Sequence, residues 1–87
     1  DARLAGAILI DLPERYKQSG VRGVIVNKVS ANSRAARNGL EVGDRIAVVN
    51  RKAVNDLTGL RAILSQKNER LEFGLARGRQ SGYLQMR

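Results

Sequence analysis

Apolar residues come along this chain in short runs separated by turn-forming clusters. Ala7-Ile8-Leu9-Ile10 is an unbroken apolar run and reads as a strand. Pro13 follows, and Pro13 to Gln18 is long enough for one helical turn before Ser19-Gly20. Gly23 to Val29 is β-branched and apolar, a second strand. Ser30 to Gly39 breaks the pattern: Asn32 or Ser33 can cap the N-terminus of a short helix, and Gly39 can supply the left-handed residue at its end. Ala35 and Ala36 let that helix pack closely. Leu40 returns to the core, Glu41-Val42-Gly43-Asp44 reads as a tight turn with Gly43 at positive φ, and Arg45 to Val49 is the next strand.

Asn50-Arg51 makes a further turn, and Lys52-Ala53-Val54 is a short extended piece. A helix capped by Asn55 or Asp56 is expected to run to about Gln66, with Leu57, Leu60, Ile63 and Leu64 as its apolar stripe. Gly59 inside it costs about 1 kcal/mol relative to alanine. The chain closes in a hairpin. Leu71, Phe73 and Leu75 alternate on one strand, Gly78 to Gly82 turn, and Tyr83 to Met86 return. Five or six short strands and two helices, without βαβ alternation, predict a small α+β fold: a partly open β-barrel or sandwich capped by helices. At 87 residues and 43% hydrophobic content, the whole chain is one domain with a modest core.

Composition removes several chemistries. There is no Cys, which excludes disulfides and zinc-thiolate sites, and no His, which removes the usual base of serine and cysteine hydrolases. Ser19, Ser30, Ser33, Ser65 and Ser81 sit in no nucleophile-elbow context, and Ser65 and Lys67, two apart on a helix, face away from each other. No catalytic residue, metal site or cofactor is expected. No apolar run approaches the roughly 20 residues that span a bilayer. Asp1 reads as the boundary of a piece cut from a longer protein. The net charge of +8 points to nucleic acid, anionic lipid or an acidic partner. The basic residues are scattered, however, and Tyr16, Phe73 and Tyr83 are too few for a base-stacking platform, so a solvated basic surface is the preferred reading and no nucleic acid is expected.

The segment Ala31 to Asn50 carries a specific pattern. Ser33, Ala35, Ala36, Gly39, Leu40, Gly43, Asp44, Ile46, Val49 and Asn50 fit G-S-P-A-A-x-A-G-L-x-x-G-D-x-I-x-x-V-N-G, with Asn32, Arg34, Asn38 and Arg51 as departures. On these residues the chain resembles PDZ domains, in particular the C-terminal PDZ domain of bacterial HtrA-type (Deg) periplasmic serine proteases. The closing Tyr83-Leu84-Gln85-Met86 resembles the last strand of that domain. The resemblance implies a peptide-binding or assembly module, non-catalytic itself, in a periplasmic protease whose catalytic domain lies elsewhere. Its partners would be hydrophobic C-terminal or unfolded peptide segments and other domains or protomers of the parent. A scaffold domain of another envelope or secretion protein, and a basic nucleic-acid or lipid binder, are the alternatives.

A site of that kind needs converging backbone N–H groups for a carboxylate, an open strand edge, and an apolar pocket. Leu4-Ala5-Gly6-Ala7 stands where the family has its carboxylate loop, and Arg3 can add attraction for the carboxylate. Ile8-Leu9-Ile10 is the expected peptide-pairing strand. Leu57, Leu60, Arg61 and Leu64 are expected to line the groove helix, with Leu4 and Ile8 below. For Leu60 and Ile63 a pure core role is an equal reading, because one helical stripe can serve both. Asp44 is expected to hydrogen-bond turn amides.

Overall fold

The β-branched and alternating segments pair into one antiparallel sheet. The computed structural model describes residues 1–67 and 69–87. A single 3-10 turn at Ala2–Leu4 leads into β1 (Ala7–Asp11), followed by α1 (Glu14–Gln18), β2 (Val24–Val29), α2 (Arg34–Arg37), β3 (Arg45–Val49), β4 (Lys52–Ala53), α3 (Leu57–Leu64), β5 (Leu71–Arg77) and β6 (Gln80–Met86). The sheet order is β1-β2-β3-β5-β6, with β4 hydrogen-bonded to β3. Both β1 and β6 are edge strands.

The predicted α+β class holds, the strands number six, the upper end of the expected five or six, and there is one helix more than expected. Pro13 sits at the N-cap of α1 and makes that single turn a helix of its own. The closing hairpin is also longer than the spacing suggested. Gly78, at φ 60°, opens a turn of only Gly78-Arg79, so β6 already begins at Gln80. Helix α3 stops at Leu64, short of Gln66, with Asp56 as its cap: Asp56 Oδ1 accepts from the Gly59 N–H at 2.8 Å.

The core follows the side-chain periods. Val24 and Val26 on β2, Ile46 and Val49 on β3, and Leu71, Phe73 and Leu75 on β5 are buried on one face of the sheet. Leu60 and Ile63 of α3 and Ala35 of α2 close over them. Ala35 is fully buried, which explains the small residue there.

Asp44 is the one buried charged residue among those described. Its Oδ2 accepts from the Glu41 N–H at 3.0 Å, as expected for a turn carboxylate. A second partner was not legible in the sequence. Arg77, 33 residues away on β5, donates through Nε to Oδ1 at 2.7 Å and through Nη2 to Oδ2 at 2.8 Å. Nη2 also reaches the Gly39 carbonyl at 2.8 Å, and Nη1 lies 2.9 Å from Glu41 Oε2. The hydrogen bond with Asp44 raises the Arg77 pKa, against a smaller opposing pull from burial. This clamp ties the hairpin to the turn between α2 and β3. Arg77→Met is expected to destabilise the domain by about 2–3 kcal/mol in urea unfolding. Breaking an enclosed pair costs about 3–5 kcal/mol, and water reaching the guanidinium reduces that. A loss below about 0.5 kcal/mol would show that the pair does not hold the fold together.

Candidate functional site

The open edge of β1 can be read from the ladder on its other side. The Ser30 N–H donates to the Gly6 carbonyl at 2.8 Å, and β1 then pairs Ala7 with Val29 and Ile8 with Lys28. Antiparallel ladders alternate, so Ala7 turns its N–H and C=O away from β2. The register shift after Ile8 skips Asn27 on β2 and leaves the β1 alternation intact. The Val26 N–H donates to Asp44 O, and the Val26 C=O accepts from the Gly43 N–H, both on the side of β3. Leu9 opposite Val26, and Asp11 opposite Val24, therefore also point their backbone groups outward. Ala7, Leu9 and Asp11 present an unpaired edge suited to one more strand.

Beside that edge lies the loop, and its cradle is narrower than the sequence suggested. The Leu4 N–H donates to Asp1 O at 3.0 Å and the Ala5 N–H to Ala2 O at 3.1 Å, so the 3-10 turn uses both. This corrects the expectation that all of Leu4, Ala5, Gly6 and Ala7 offer amides. Gly6 has no N–H partner among the described residues, and with the outward Ala7 N–H it leaves two donors side by side. The carbonyls are anchored inward: Ala5 O accepts from Ala35 N at 3.0 Å, and Arg3 O from Asn38 Nδ2 at 3.1 Å. Gly6 has φ 95°, and a Cβ there would overlap the Ser33 side chain. Ser33 is itself fixed, because its Oγ caps α2 by accepting from the Ala36 N–H at 3.1 Å. The Arg3 guanidinium pairs with Asp1 at 2.9 Å.

Helix α3 faces the edge. Asp11 Oδ1 accepts from the Leu57 N–H at 2.7 Å, which pins the start of the helix to the end of β1. The helix leads on to β5, whose Leu71 pairs with Met86. The adjoining Arg87 N–H donates to Asn38 Oδ1, and Asn38 Nδ2 to the Arg3 carbonyl, so the end of β6 lies beside the loop. Lys52 of β4 reaches Gln66, two residues past the end of α3, at 3.4 Å. At 100° per residue, Leu57, Arg61 and Leu64 share one face of α3. Leu57 and Leu64 are half-buried against the core, and Arg61 is exposed.

The expected groove residues thus separate. Ala7 and Leu9 of β1 and Leu57 and Leu64 of α3 are partly buried against the core, and Arg61 is exposed. Leu4 and Leu60 lie in the core itself. Ile8 does not lie below the pocket: it is 52% exposed, on the opposite face with Lys28, and Ile10 shares that face by alternation. Asp11, which locks the groove's far end, was missed because nothing in its local sequence announces a partner 46 residues away.

A separate open concavity of about 340 Å³ lies on the outer face of β3, β5 and β6, bordered by Val48, Gly74, Ala76 and Tyr83.

The architecture is that of a small antiparallel sheet domain with a helix laid along an open edge. The chain belongs to the PDZ domain family, whose pattern it matches over residues 10–73. The match begins inside β1, after the loop. The chain is 33% identical over 81 residues to a probable periplasmic serine protease do/HhoA-like of Haemophilus influenzae, covering 93% of this chain and 16% of that protein. It is 43% identical over 65 residues to the periplasmic serine endoprotease DegP of Salmonella typhimurium, covering 75% and 14%. It is 36% identical over 84 residues to the periplasmic pH-dependent serine endoprotease DegQ of Escherichia coli, covering 97% and 18%. The chain therefore spans less than a fifth of these curated relatives. The crystal structure of the HtrA3 PDZ domain bound to a phage-derived ligand shares the fold, with a TM-score of 0.77 at 24% identity, over 93% of this chain and 79% of that one.

Proposed function

We propose that this domain binds the free C-terminus of an extended, apolar-ended peptide by adding it as a strand to β1. The observation that carries the reading is the open edge of Ala7, Leu9 and Asp11, ending at the unpartnered Gly6 and Ala7 amides and walled by α3. The cradle offers donors only, so it suits a carboxylate. Ala7, Leu9 and Leu64 offer the last side chain an apolar site worth about 25 cal/mol per Å² buried. In this reading the domain is a non-catalytic module of a periplasmic HtrA/Deg-type serine protease and brings segment capture to it.

An NMR titration tests the site. A peptide ending in Val, Leu or Phe is expected to shift the amides of Gly6 to Asp11 and Leu57 to Leu64. Its C-terminal amide is expected to bind about one to two decades more weakly, the loss of one charge-assisted contact of about 1.5–3 kcal/mol. Equal shifts from acid and amide would remove the carboxylate site.

A second reading, docking to another domain or protomer of the parent, rests on a different surface. Tyr83 is 71% exposed beside the outer concavity, and β6 is the other sheet edge. Both features suit an assembly contact.

A further inference from the structure

Asn38 is followed by Gly39, and every other asparagine in the chain precedes a residue with a side chain. An asparagine before glycine carries a reaction of its own, because no Cβ shields the next backbone nitrogen from the side-chain carbonyl carbon. The Gly39 nitrogen gives up its proton and attacks Asn38 Cγ. A C–N bond forms, the bond from Cγ to Nδ2 breaks, and Nδ2 leaves as ammonia. The product is a five-membered imide, which water opens at one of its two carbonyls. One opening leaves aspartate. The other leaves isoaspartate, in which the main chain runs through Cβ and Cγ. No electrons are gained or lost.

The fold places this pair at a junction. Asn38 caps the C-terminus of α2. Its Nδ2 donates to the Arg3 carbonyl at 3.1 Å and to the Arg87 carbonyl at 3.2 Å, and its Oδ1 accepts from the Arg87 N–H at 3.0 Å. One side-chain amide thus clasps the end of α2, the turn before β1 and the end of β6. Arg34 adds a tie from α2, donating through Nε to the Arg87 carbonyl at 2.6 Å. The attacking nitrogen is also engaged, since the Gly39 N–H donates to Ala36 O at 3.0 Å. Asn38 has ψ −5°, which aligns the Gly39 nitrogen with its own nitrogen. Ring closure needs that nitrogen over Cβ instead, about 120° of rotation away by tetrahedral geometry.

We infer that Asn38 is a spontaneous modification site, gated by the clasp. While the clasp is closed, the leaving group and the nucleophile are both held away from reaction. When the β6 end lets go, the imide can form, and loss of ammonia makes the change one-way. Either product lacks the N–H groups that hold the Arg3 and Arg87 carbonyls, and sets a carboxylate oxygen against carbonyl oxygens. Isoaspartate also lengthens the main chain before Gly39. That displaces the bonds from Gly39 N–H to Ala36 O and from Leu40 N–H to Ala35 O, which finish α2. The modified domain therefore loses one of the two inward anchors of the segment leading into Gly6. The inference stands independently of the peptide reading.

Ageing the purified domain at mildly alkaline pH tests it, with peptide mapping by mass spectrometry. Each conversion lowers the net charge of +8 by one, so ion exchange separates the product. The first conversion is expected at Asn38, in concentrated urea and in the folded domain alike. It is expected to be at least about tenfold slower in the folded domain, the protection that a closed local structure gives. Arg34→Met, which loosens Arg87 without touching Asn38 or Gly39, is expected to speed the folded-state conversion at least about twofold, the scale of a few tenths of a kcal/mol. Asn38→Ser is expected to remove the early charge change. The separated product is expected to melt at least about 4 °C below the unchanged domain, the scale of one net hydrogen bond in a domain of this size. First conversion at another asparagine would overturn the assignment of the site. Equal rates in urea and in the folded domain, or no acceleration in Arg34→Met, would overturn the gating. An unchanged melting temperature of the product would overturn the clasp's structural role.

Discussion

Gly6→Val is expected to remove peptide binding and to lower stability by about 2–6 kcal/mol. Two costs add. Gly6 sits at φ 95°, where a β-branched residue pays about 1–3 kcal/mol of backbone strain. A Cβ there would also overlap the Ser33 side chain, and forced overpacking costs about 1–3 kcal/mol. Ser33 cannot swing aside cheaply, because its Oγ holds the N-cap of α2. Relief must come from the loop, which moves the Gly6 amide out of the cradle and strains the bonds from Gly6 O to Ser30 and from Ala5 O to Ala35. Total stability for 87 residues is about 4–13 kcal/mol, so partial unfolding is a possible readout. Gly20 provides the control. It has φ 82° with nothing within 4 Å of a built Cβ, so Gly20→Ala isolates the backbone cost. Urea unfolding of Gly6→Ala against Gly20→Ala is expected to show the Gly6 variant losing at least about 1 kcal/mol more. Equal losses would show that the loop does not rest on the Ser33 cap.

Much of the fold was legible because local chemistry and global packing agree. The β-branched run at Val24 to Val29 and the alternation of Leu71, Phe73 and Leu75 marked strands that the sheet buries on those same residues. Ser33 was legible as a cap because its oxygen serves a neighbouring amide. Departures from the family pattern were harder to weigh. Asn32 and Arg51 replace glycines, and both lie at positive φ, 62° and 67°. Asparagine tolerates that region, whereas arginine gives up about 1 kcal/mol there. The β3–β4 turn keeps its shape through Asn50, whose amide N–H, Nδ2 and Oδ1 engage Glu72 O, Arg70 O and the Glu72 N–H.

The site was less legible than the fold, for a physical reason. Which amides are free depends on where their neighbours' hydrogen bonds go, and Asp1 O and Ala2 O claim Leu4 and Ala5. That Leu9, and not Ile8 or Ile10, turns to the core side of β1 depends on one parity, set where Ser30 meets Gly6. Long-range polar pairs, Asp11 to Leu57 and Arg77 to Asp44, leave no local periodic trace.

Leu60 shows how one helical stripe divides between core and groove. It is 1% exposed and packs in the cluster with Phe73, Ile46 and Val54. Leu60→Ala is expected to cost about 2–5 kcal/mol in urea unfolding, combining lost transfer energy with the cavity left behind. Leu60→Met, which nearly keeps the volume, is expected to cost less than about 1.5 kcal/mol. One turn away in effect but only one residue on in sequence, Arg61→Ala is expected to stay within about 0.5 kcal/mol of the unchanged protein. Peptide affinity should divide the opposite way. Leu60 lies under the groove, so the folded fraction of Leu60→Ala is expected to bind a neutral free-acid peptide within about twofold of the unchanged domain, the scale of a few tenths of a kcal/mol. Arg61→Ala, on the exposed side of the same helix, is expected to change that affinity more than Leu60→Ala does. A stability change under about 0.5 kcal/mol for Leu60→Ala would place that side chain on the surface. A tenfold affinity loss in its folded fraction would place it in the peptide's pocket.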